Sequence, residues 1–583
     1  MADQPADTHQ DIRYEPDERP PLALTIGLGF QYAVLVVAGV VLTPVMMIKI
    51  AGGSEAYLSW AVFAALVVSG VTSVMQAVRV GHVGAGYLLL MGSSGAFIAV
   101  CVSALEQGGP GLMASLIVIA ALFQFVLATK LSWFRRIFTP TVAGTVLMLI
   151  PVTIGPLVLG KLTDVPEGVS SAAAPVTAGV TLVISVAMSL TNSGAWRLWA
   201  PIIGIGAGSA IGGLVFGIYD TTRILEADWV GLPAIAWPGF DLSFGPAFWA
   251  LLPAFVLVTL IGALDTIGDS IAIQRASWRR PRAIDFRAIQ GALTADGLGN
   301  LLSGFAGTVP NTTYAASISV AEITRVAARF VGVCVGVIFV VLAFLPKCVA
   351  AVVAIPSQVV AAYFMLMMAI FFVMGMRILF QEGLDYRKGI IVGLAFWIGS
   401  AFQLGWIFPE YFQGPWSKLL GNGMTVGGFT VIFLTLFVDL TGPRRQRLKT
   451  ALSVDAYPQI DAFLSGFAAH RGWNEEMIDR LRAVGEETLL TLIQQKERGT
   501  AHDGRRLLLT AHGDSTAADL EFIAAADEAN IEDQIALLSQ QAADTPVEKE
   551  LSLRLLRHYA SSVRHQQFHD TDVVTVRVES AVS

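Results

Sequence analysis

The chain has 583 residues, of which 54% are hydrophobic and only 14% are charged, and its mean hydropathy is +0.63. A soluble domain carries about a quarter of charged residues, so this composition excludes a soluble globular protein and indicates a polytopic membrane protein. The formal net charge of -7 reflects the polar ends of the chain and says little about partners. Cys101, Cys334 and Cys348 lie in apolar runs without paired spacing, so no disulfide, metal or redox role is expected.

Residues 1–22 are acidic, polar and contain proline, and they are predicted to form a disordered cytoplasmic N-terminus. They lack a basic stretch leading into a short apolar core, so no cleaved signal peptide is expected.

The apolar body, residues 23–442, contains enough long hydrophobic runs for fourteen membrane spans, because one helical span needs about 20 apolar residues. The third and tenth of these runs are the weakest. The spans are predicted near residues 23–48, 55–78, 86–104, 111–130, 137–159, 173–192, 199–218, 246–273, 288–305, 312–323, 326–346, 357–377, 388–407 and 422–440.

Lysine and arginine concentrate in alternate connections, as in the loop SWRRPRAIDFR (277–287). The positive-inside rule therefore supports fourteen spans with both termini in the cytoplasm. The expected location is the plasma membrane, the inner membrane of a bacterium.

A long outer connection, about residues 219–245, divides the body into two blocks, at about 23–218 and 246–440. Seven spans in each block make the blocks inverted relative to one another. Small or helix-breaking residues interrupt span three, at Gly92 and its neighbours, and the entry to span ten, at Pro310. Paired interruptions at corresponding positions of inverted repeats indicate half-helices and a transporter's binding site.

From residue 443 to 583 the composition becomes that of a soluble domain, predicted to be a cytoplasmic α/β domain with a regulatory or interaction role. Strands are predicted at 505–513, 519–527 and 572–580, and helices near 530–540 and at 547–567. The histidines of this part, among them His565 and His569, are predicted to lie at the surface.

Three aspartates stand in the second block where apolar residues would be expected: Asp265, Asp269 and Asp296. An ionisable group at membrane depth is costly and marks a functional site. Asp265 and Asp269 are four residues apart and share one helix face, so one of the two is expected to carry a proton near neutral pH. This pair could couple proton movement to solute binding.

Hydroxyl and amide side chains follow at the start of span ten, namely Asn311, Thr312, Thr313, Ser317 and Ser319. An open helix N-terminus adds unpaired N–H groups and a positive dipole end. Such a site suits a small planar or anionic polar solute.

At these residues the body resembles the nucleobase/ascorbate transporter family, also called nucleobase:cation symporter-2, the uracil and xanthine permeases. The resemblance covers the membrane body only. It is carried by GFQYAVLVVAGVVLTPVMM (29–47), GSSGAFI (92–98), LDTIGDS (264–270), DGLGNLLSGFAGTVPNTTY (296–314), ITRVAARFVG (323–332) and FLPKCVAAVVAIPSQVVA (344–361).

The resemblance implies a fold of seven plus seven inverted repeats. A core domain, spans one to four and eight to eleven, would carry the site. A gate domain, spans five to seven and twelve to fourteen, would form much of a homodimer contact.

The resemblance also implies site residues. Asp265 falls on the family's solute-binding acid, usually Glu, which is tied to proton coupling, and Asp269 on a supporting acid. Ala96 and Phe97 fall on the contacts of span three.

Gln31 and Tyr32 match a Gln-His pair of span one, which places both at the solute. Asn311 and Thr313 are assigned to the support of the site.

The chain departs from the family signature in span ten. Thr324 and Arg325 are in place as supporting residues, but Ala316 stands where the family has a base-binding amide or acid, followed by Ser317 and Ser319. Ala316, Ser317 and Ser319 are predicted to lie at the solute. Loss of one side-chain hydrogen bond can change discrimination by orders of magnitude, so the solute could be something other than a nucleobase.

The tail resembles, more faintly, the histidine-kinase-type ATPase fold of anti-sigma-factor kinases. Where that family has a magnesium-binding Asn after its Glu, Thr491 follows Glu487, and residues 527–532 contain no glycine-rich ATP lid. A degenerate fold without nucleotide binding is therefore predicted, with no cofactor and no metal site.

These features predict a secondary transporter and not an enzyme. The preferred function is proton-coupled symport of a nucleobase-like solute of the uracil, xanthine or urate class, with sodium as the alternative coupling ion. The partners are the solute, the coupling ion, the lipid bilayer, a second copy and an unidentified cytoplasmic protein, with no nucleic acid. Two alternatives stay open: an anion transporter of the same inverted-repeat fold, which Asp265 disfavours, and a transporter-derived receptor that signals through its tail.

Overall fold

The computed structural model describes most of the membrane body and the strands and first helices of the tail. The described residues are 12–130, 139–166, 168–191, 194–280, 282–381, 385–408, 410, 423–441, 446–496, 506–513, 517–524, 555–568 and 572–579. They fall into two compact units, the first comprising Met1–Arg280 and Ala288–Phe437, the second Pro281–Arg287 and Val438–Ser583.

The first unit is almost entirely helical and begins as predicted with two long apolar helices. Its helices are α1 (Leu22–Ile50), α2 (Glu55–Val78), α3 (Ile98–Thr129), α4 (Pro140–Gly160), α5 (Ala173–Ser189), α6 (Gly194–Phe216), α7 (Thr221–Glu226), α8 (Pro246–Ala276), α9 (Phe286–Ala306), α10 (Ala316–Thr324), α11 (Arg329–Ala343), α12 (Pro346–Val353), α13 (Ser357–Gln381), α14 (Tyr386–Gln403) and α15 (Gly423–Thr441). Two three-residue strands, β1 (Met91–Ser93) and β2 (Asn311–Thr313), interrupt this series.

Among the described residues, seven helices are long and apolar enough to cross a membrane, or eight if α11 and α12, which meet at 85°, form one bent span. The chain therefore has a mostly helical, polytopic membrane fold. The count of fourteen spans stays a prediction, and the predicted start of span five, at 137–138, lies outside the described residues.

Helix boundaries follow local chemistry. The Ser54 hydroxyl accepts a hydrogen bond from the Tyr57 N–H at the start of α2 (3.3 Å), and Thr139 caps α4 in the same way, with Pro140 at its first position. In α3, Gly109 has φ +74°, which only glycine adopts readily, and the helix bends there just before Pro110.

Glycines set how closely the helices pack. A Cβ on Gly70 of α2 would lie 2.6 Å from the carbonyl oxygen of Gly336 in α11, and one on Gly336 would lie 2.5 Å from that of Gly70. Gly144 of α4 and Gly375 of α13 meet in the same reciprocal way, at 2.7 and 2.6 Å. Small residues at such crossings bring the two backbones into van der Waals contact. This close packing drives helix association in a membrane, because lipid is as apolar as the side chains and burying them gives no hydrophobic gain.

The disorder predicted for residues 1–22 is wrong for part of that segment. Residues 12–18 are hydrogen bonded to distant segments of the first unit, for example through Glu18 and Arg279, and α1 begins at Leu22. Composition alone suggested disorder because the partners of these polar residues lie more than 260 positions away.

The second unit contains a five-stranded antiparallel sheet in the order β3-β4-β5-β7-β6. Its strands are β3 (Gln446–Ala451), β4 (Arg506–Gly513), β5 (Ala517–Ala524), β6 (Ser562–Gln567) and β7 (Asp572–Glu579). Helices α16 (Tyr457–His470) and α17 (Glu475–Lys496) pack on the sheet, and Leu464, Leu481 and Phe522 are fully buried between them. Its assignment as a cytoplasmic regulatory domain stays a prediction.

Two details of the tail differ from prediction. The helix predicted at 547–567 cannot reach its end, because Ser562–Gln567 form β6 and pair with β7. His565 is buried in this strand, not at the surface, whereas His569 and the predicted helix at 530–540 lie outside the described residues. Nonlocal strand pairing overrides the helical pattern there.

Candidate functional site

The two interrupted stretches cross each other inside the first unit. Strands β1 and β2 pair antiparallel, with Gly92 opposite Thr312. Two further backbone hydrogen bonds flank the pair, from the Ser94 N–H to the Pro310 carbonyl (2.8 Å) and from the Tyr314 N–H to the Leu90 carbonyl (2.9 Å). This pairing satisfies backbone groups that would otherwise be exposed without partners at membrane depth.

Tyr314 and Ser317 fix this crossing. The Tyr314 ring packs on Gly92, where a Cβ would lie 2.6 Å from its Cζ, and its hydroxyl donates to the Ser93 carbonyl (2.8 Å). The Ser317 hydroxyl donates to the Tyr314 carbonyl (2.7 Å) and accepts from the Leu90 N–H (2.9 Å). The hydroxyl of Ser317, a predicted solute ligand, is therefore engaged by the backbone of the crossing.

A helix begins on each side of the crossing. The turn Gly95–Phe97 leads into α3, and α10 begins at Ala316. The unpaired N–H groups expected at the start of α10 are not found for Ser317, Ile318 and Ser319, which donate to the carbonyls of Tyr314 and Ala315 (3.0–3.2 Å). Each helix start still presents a positive dipole end. Ala96 and Phe97 are buried at 3% and 2% exposure, and the Phe97 ring lies 6.4 Å from that of Phe255.

One face of α8 lies against the crossing. The Thr313 hydroxyl donates to Asp269 (2.8 Å) and lies 3.3 Å from the Thr266 hydroxyl. One turn earlier, a Cβ on Gly262 would be 3.9 Å from the Phe97 ring and 4.0 Å from the hydroxyl oxygen of Thr312.

Asp265 stands between these two contact points on the same face. It is half-buried, and its carboxylate has no hydrogen bond or ion pair within the described residues. The Thr312 hydroxyl oxygen is buried and, in the same part of the chain, likewise has no hydrogen-bond partner. A carboxylate, a hydroxyl and an aromatic ring thus converge, and the carboxylate and the hydroxyl have unused hydrogen-bonding capacity.

A buried polar network supports this face. Asp296, 1% exposed, accepts hydrogen bonds from Gln124 (2.7 Å) and Thr266 (2.8 Å). The Asn300 amide donates to Gln124 (2.9 Å), and its oxygen accepts the Asn311 N–H (2.8 Å). The network therefore joins α3, α8, α9 and β2.

From the sequence, Asp296 was recognised as a costly charge at membrane depth but was given no role. Gln124 and Asn300 were not recognised as members of this network. The available signal was the spacing of Asp296 and Asn300, four residues apart on one helix face. Gln124 stands alone among apolar residues of α3, and nothing in its spacing reveals its partner 172 positions away.

The remaining predicted residues lie around α10. Tyr32 is fully buried, with its hydroxyl 3.5 Å from the Ser317 carbonyl, and Gln31 is half-buried beside it in α1. Ser319 is half-buried one turn from the start of α10.

Thr324 and Arg325 lie at the other end of α10, roughly 13 Å from its start at 1.5 Å per residue. The Thr324 hydroxyl donates to the Val320 carbonyl (2.8 Å), and Arg325 ends the helix with φ +59°. These two residues support the helix and do not reach its N-terminus.

Within the described residues, no group of three or more His, Cys, Asp or Glu side chains is arranged to hold a metal ion. An aromatic face, a hydroxyl and a carboxylate acceptor are suited to a small planar solute.

A polytopic helical body with two crossed half-helices and a polar site between them defines a membrane transport protein. The model of the Permease family matches residues 24–405, and the chain belongs to that family. The chain is therefore an integral membrane permease and not an enzyme, and the resemblance of its body to the nucleobase/ascorbate transporters is confirmed; that of its tail stays a prediction.

Individual relatives agree with this assignment. The xanthine permease XanP of Escherichia coli K12 is 28% identical over 452 residues, covering 73% of this chain and 95% of its own. The putative purine permease CPE0397 of Clostridium perfringens is 27% identical over 399 residues, covering 67% and 85%. Among solved structures, the mouse Slc26a9 anion transporter matches with a TM-score of 0.50 at 12% identity, covering 75% of this chain and 72% of that one, which bears on the fold alone.

Proposed function

We propose that the protein is a secondary transporter that carries a nucleobase-like solute across the bacterial inner membrane in symport with protons. The observation that carries this proposal is the half-buried Asp265 carboxylate, which has no hydrogen-bond partner within the described residues and lies on the α8 face that contacts β2. A carboxylate acceptor is suited to the ring N–H groups of a uracil, xanthine or urate.

The solute class is supported by the relatives, which include permeases named for xanthine, purine and uric acid. In this site the solute would stack on Phe97 and bond to Asp265 and to the Thr312 hydroxyl. Ala316 has no side chain that could pair with a base edge, so recognition of the solute would depend on Asp265 and Thr312.

Proton coupling would involve the aspartates of α8 together with Asp296. Asp269 and Asp296 are linked through Thr266 and Thr313, whereas Asp265 is left to the solute. Protonation of one carboxylate would change the charge that the others experience in a site with little water, and so couple solute binding to proton uptake.

The working cycle would move the crossed half-helices, as one unit with the core, against the gate helices. We propose a homodimer with both termini in the cytoplasm and a tail that contacts a cytoplasmic partner.

The test is uptake of labelled uracil, xanthine or urate into vesicles with an imposed pH gradient. Wild-type protein should accumulate one of these bases, and Asp265→Asn should abolish accumulation. Glu226→Gln, at an exposed residue without hydrogen bonds in the described residues, is the matched control and should transport normally.

Accumulation that persists in Asp265→Asn would refute the proposed role of this carboxylate. Exchange of small anions without any gradient would support the anion transporter of the same fold. Binding of a base without uptake would support the receptor alternative.

A further inference from the structure

The segment comprising residues 12–18, here called the N-terminal clasp, pairs with the chain just beyond α10. The Arg13 N–H donates to the Arg325 carbonyl (2.8 Å), and the Ala327 N–H donates to the Tyr14 carbonyl (2.9 Å). These bonds form a short parallel bridge. The clasp thereby satisfies a carbonyl at the end of α10, a group that has no partner within its own helix.

One arginine holds the other side of the clasp. The Arg279 guanidinium donates to the carbonyls of Ile12 and Arg13, both at 2.9 Å, and to both carboxylate oxygens of Glu18, at 2.8 and 2.6 Å. The backbone N–H of Arg279 donates to Glu15 (3.1 Å). The hydrogen bond from Arg279 also lowers the pKa of Glu18 below its usual range, so this carboxylate is ionised near neutral pH. The bidentate contact between the Arg279 guanidinium and the Glu18 carboxylate, here called the fork, gives geometric specificity as well as electrostatic attraction.

The clasp is also fixed by the start of α11. The Arg329 N–H donates to the Pro16 carbonyl (3.1 Å), and the Arg329 guanidinium lies 3.2 Å from the Asp17 carboxylate. Three elements therefore meet at one short segment: the chain after α8, the end of α10 and the start of α11.

Two of these elements build the solute site. Arg279 follows the end of α8 at Ala276 by three residues, and α8 carries Asp265 and Asp269. Helix α10 has only nine residues, which is too short to be stable by itself, so its position depends on contacts with other segments.

We infer that the N-terminal clasp is a positioning element that ties the end of α10 to the end of α8, and so sets the distance between the start of α10 and the α8 carboxylates. It acts through α10 and touches no solute. The structural part of this inference holds whatever the solute is, and only its effect on uptake rests on the proposed function.

The test compares two adjacent arginines in the full-length protein in lipid nanodiscs. Arg279→Gln removes the fork, whereas Arg280→Gln removes an exposed charge that has no hydrogen bond or ion pair within the described residues. Without any solute, amide hydrogen exchange of the peptide covering residues 316–325 should be about fivefold to tenfold faster in Arg279→Gln, because local opening becomes easier. Arg280→Gln should exchange like wild type.

Deletion of residues 2–18 provides the second arm. It should accelerate exchange of the same peptide as much as Arg279→Gln does, and adding Arg279→Gln to the deletion should change nothing further, because both act through one contact. Glu18→Gln should accelerate exchange of this peptide by a smaller factor. If Arg279→Gln does not fold, the exchange rate measured for Glu18→Gln is the result that tests the inference.

Unchanged exchange in both Arg279→Gln and Glu18→Gln would overturn the inference. Additive effects of the deletion and of Arg279→Gln on the exchange rate would also overturn it. For whichever base is transported, Arg279→Gln should raise KM several-fold and change kcat little, since α10 holds the solute. If no base is transported, the proposed function fails, and the exchange result still decides whether the clasp positions α10.

Discussion

Substitution of Gly92 by alanine should impair the site without changing any residue that we propose to contact the solute. The new Cβ would lie 2.6 Å from Cζ of Tyr314 and 2.8 Å from its Cε2 and hydroxyl oxygen. Because carbon atoms prefer separations of about 3.5–4.0 Å, the ring must move by about 1 Å. Overpacking of this kind typically costs about 1–3 kcal/mol.

The displaced ring would lose its hydrogen bond to the Ser93 carbonyl and push on the start of α10, two residues further along the chain. A misplacement of about 1 Å at a binding site can reduce a rate by roughly 100-fold. We therefore expect base uptake to fall by at least tenfold, together with a lower melting temperature of the purified protein.

Gly95→Ala is the matched control, because a Cβ there would lie 3.4 Å from the nearest atom of Phe371, an ordinary contact. Uptake and melting temperature should both be measured for the two variants in the same membranes. If Gly92→Ala behaves like Gly95→Ala in both assays, close packing of Tyr314 on Gly92 does not hold the crossing.

Two further predictions concern packing and pH. Gly70→Ala would place its Cβ 2.6 Å from the Gly336 carbonyl oxygen, so the protein should lose about 1–3 kcal/mol of stability, measured as earlier thermal inactivation; Gly27→Ala, with no atom within 4 Å, should not, and equal effects would refute the argument. Burial lowers the pKa of His565 to about 4, below the usual 6.5 of a histidine. Between pH 4 and pH 6.5 the unfolded state therefore binds more protons than the folded state. The free energy of unfolding of the sheet is highest above pH 6.5 and falls by about 2 kcal/mol when the pH is lowered to 5. Hydrogen exchange of the peptide covering 517–524, corrected for intrinsic pH effects, should show this loss; stability that is constant or higher at pH 5 would contradict it.

Sequence reasoning located the elements whose signal is local. The apolar runs predicted the ends of most long helices to within a few residues, and glycine and proline marked the two stretches that the structure shows as short strands leading into helices. The four-residue spacing of Asp265 and Asp269 placed both on the helix face that meets the crossing.

What the sequence did not show is nonlocal. The partner of Asp296 in α3 and the partner of residues 12–18 beyond α8 are fixed only when distant segments pack, and no periodicity encodes them. The same holds for β6, whose residues follow a helical run but find a neighbouring strand. The engaged hydroxyl of Ser317 also could not be foreseen, because a serine at a broken helix can serve a solute or the backbone equally well.

The pairing of β1 with β2 has a consequence for biogenesis. Residues 91–93 and 311–313 are separated by more than two hundred positions, yet each supplies the backbone partners that the other lacks. When only the first block has been synthesised, β1 has no partner strand. Its amide and carbonyl groups must then stay hydrated or be shielded by another protein. Maturation of the first block therefore waits for translation to pass Tyr314, and a chain truncated between the two blocks should be retained by the insertion machinery and degraded.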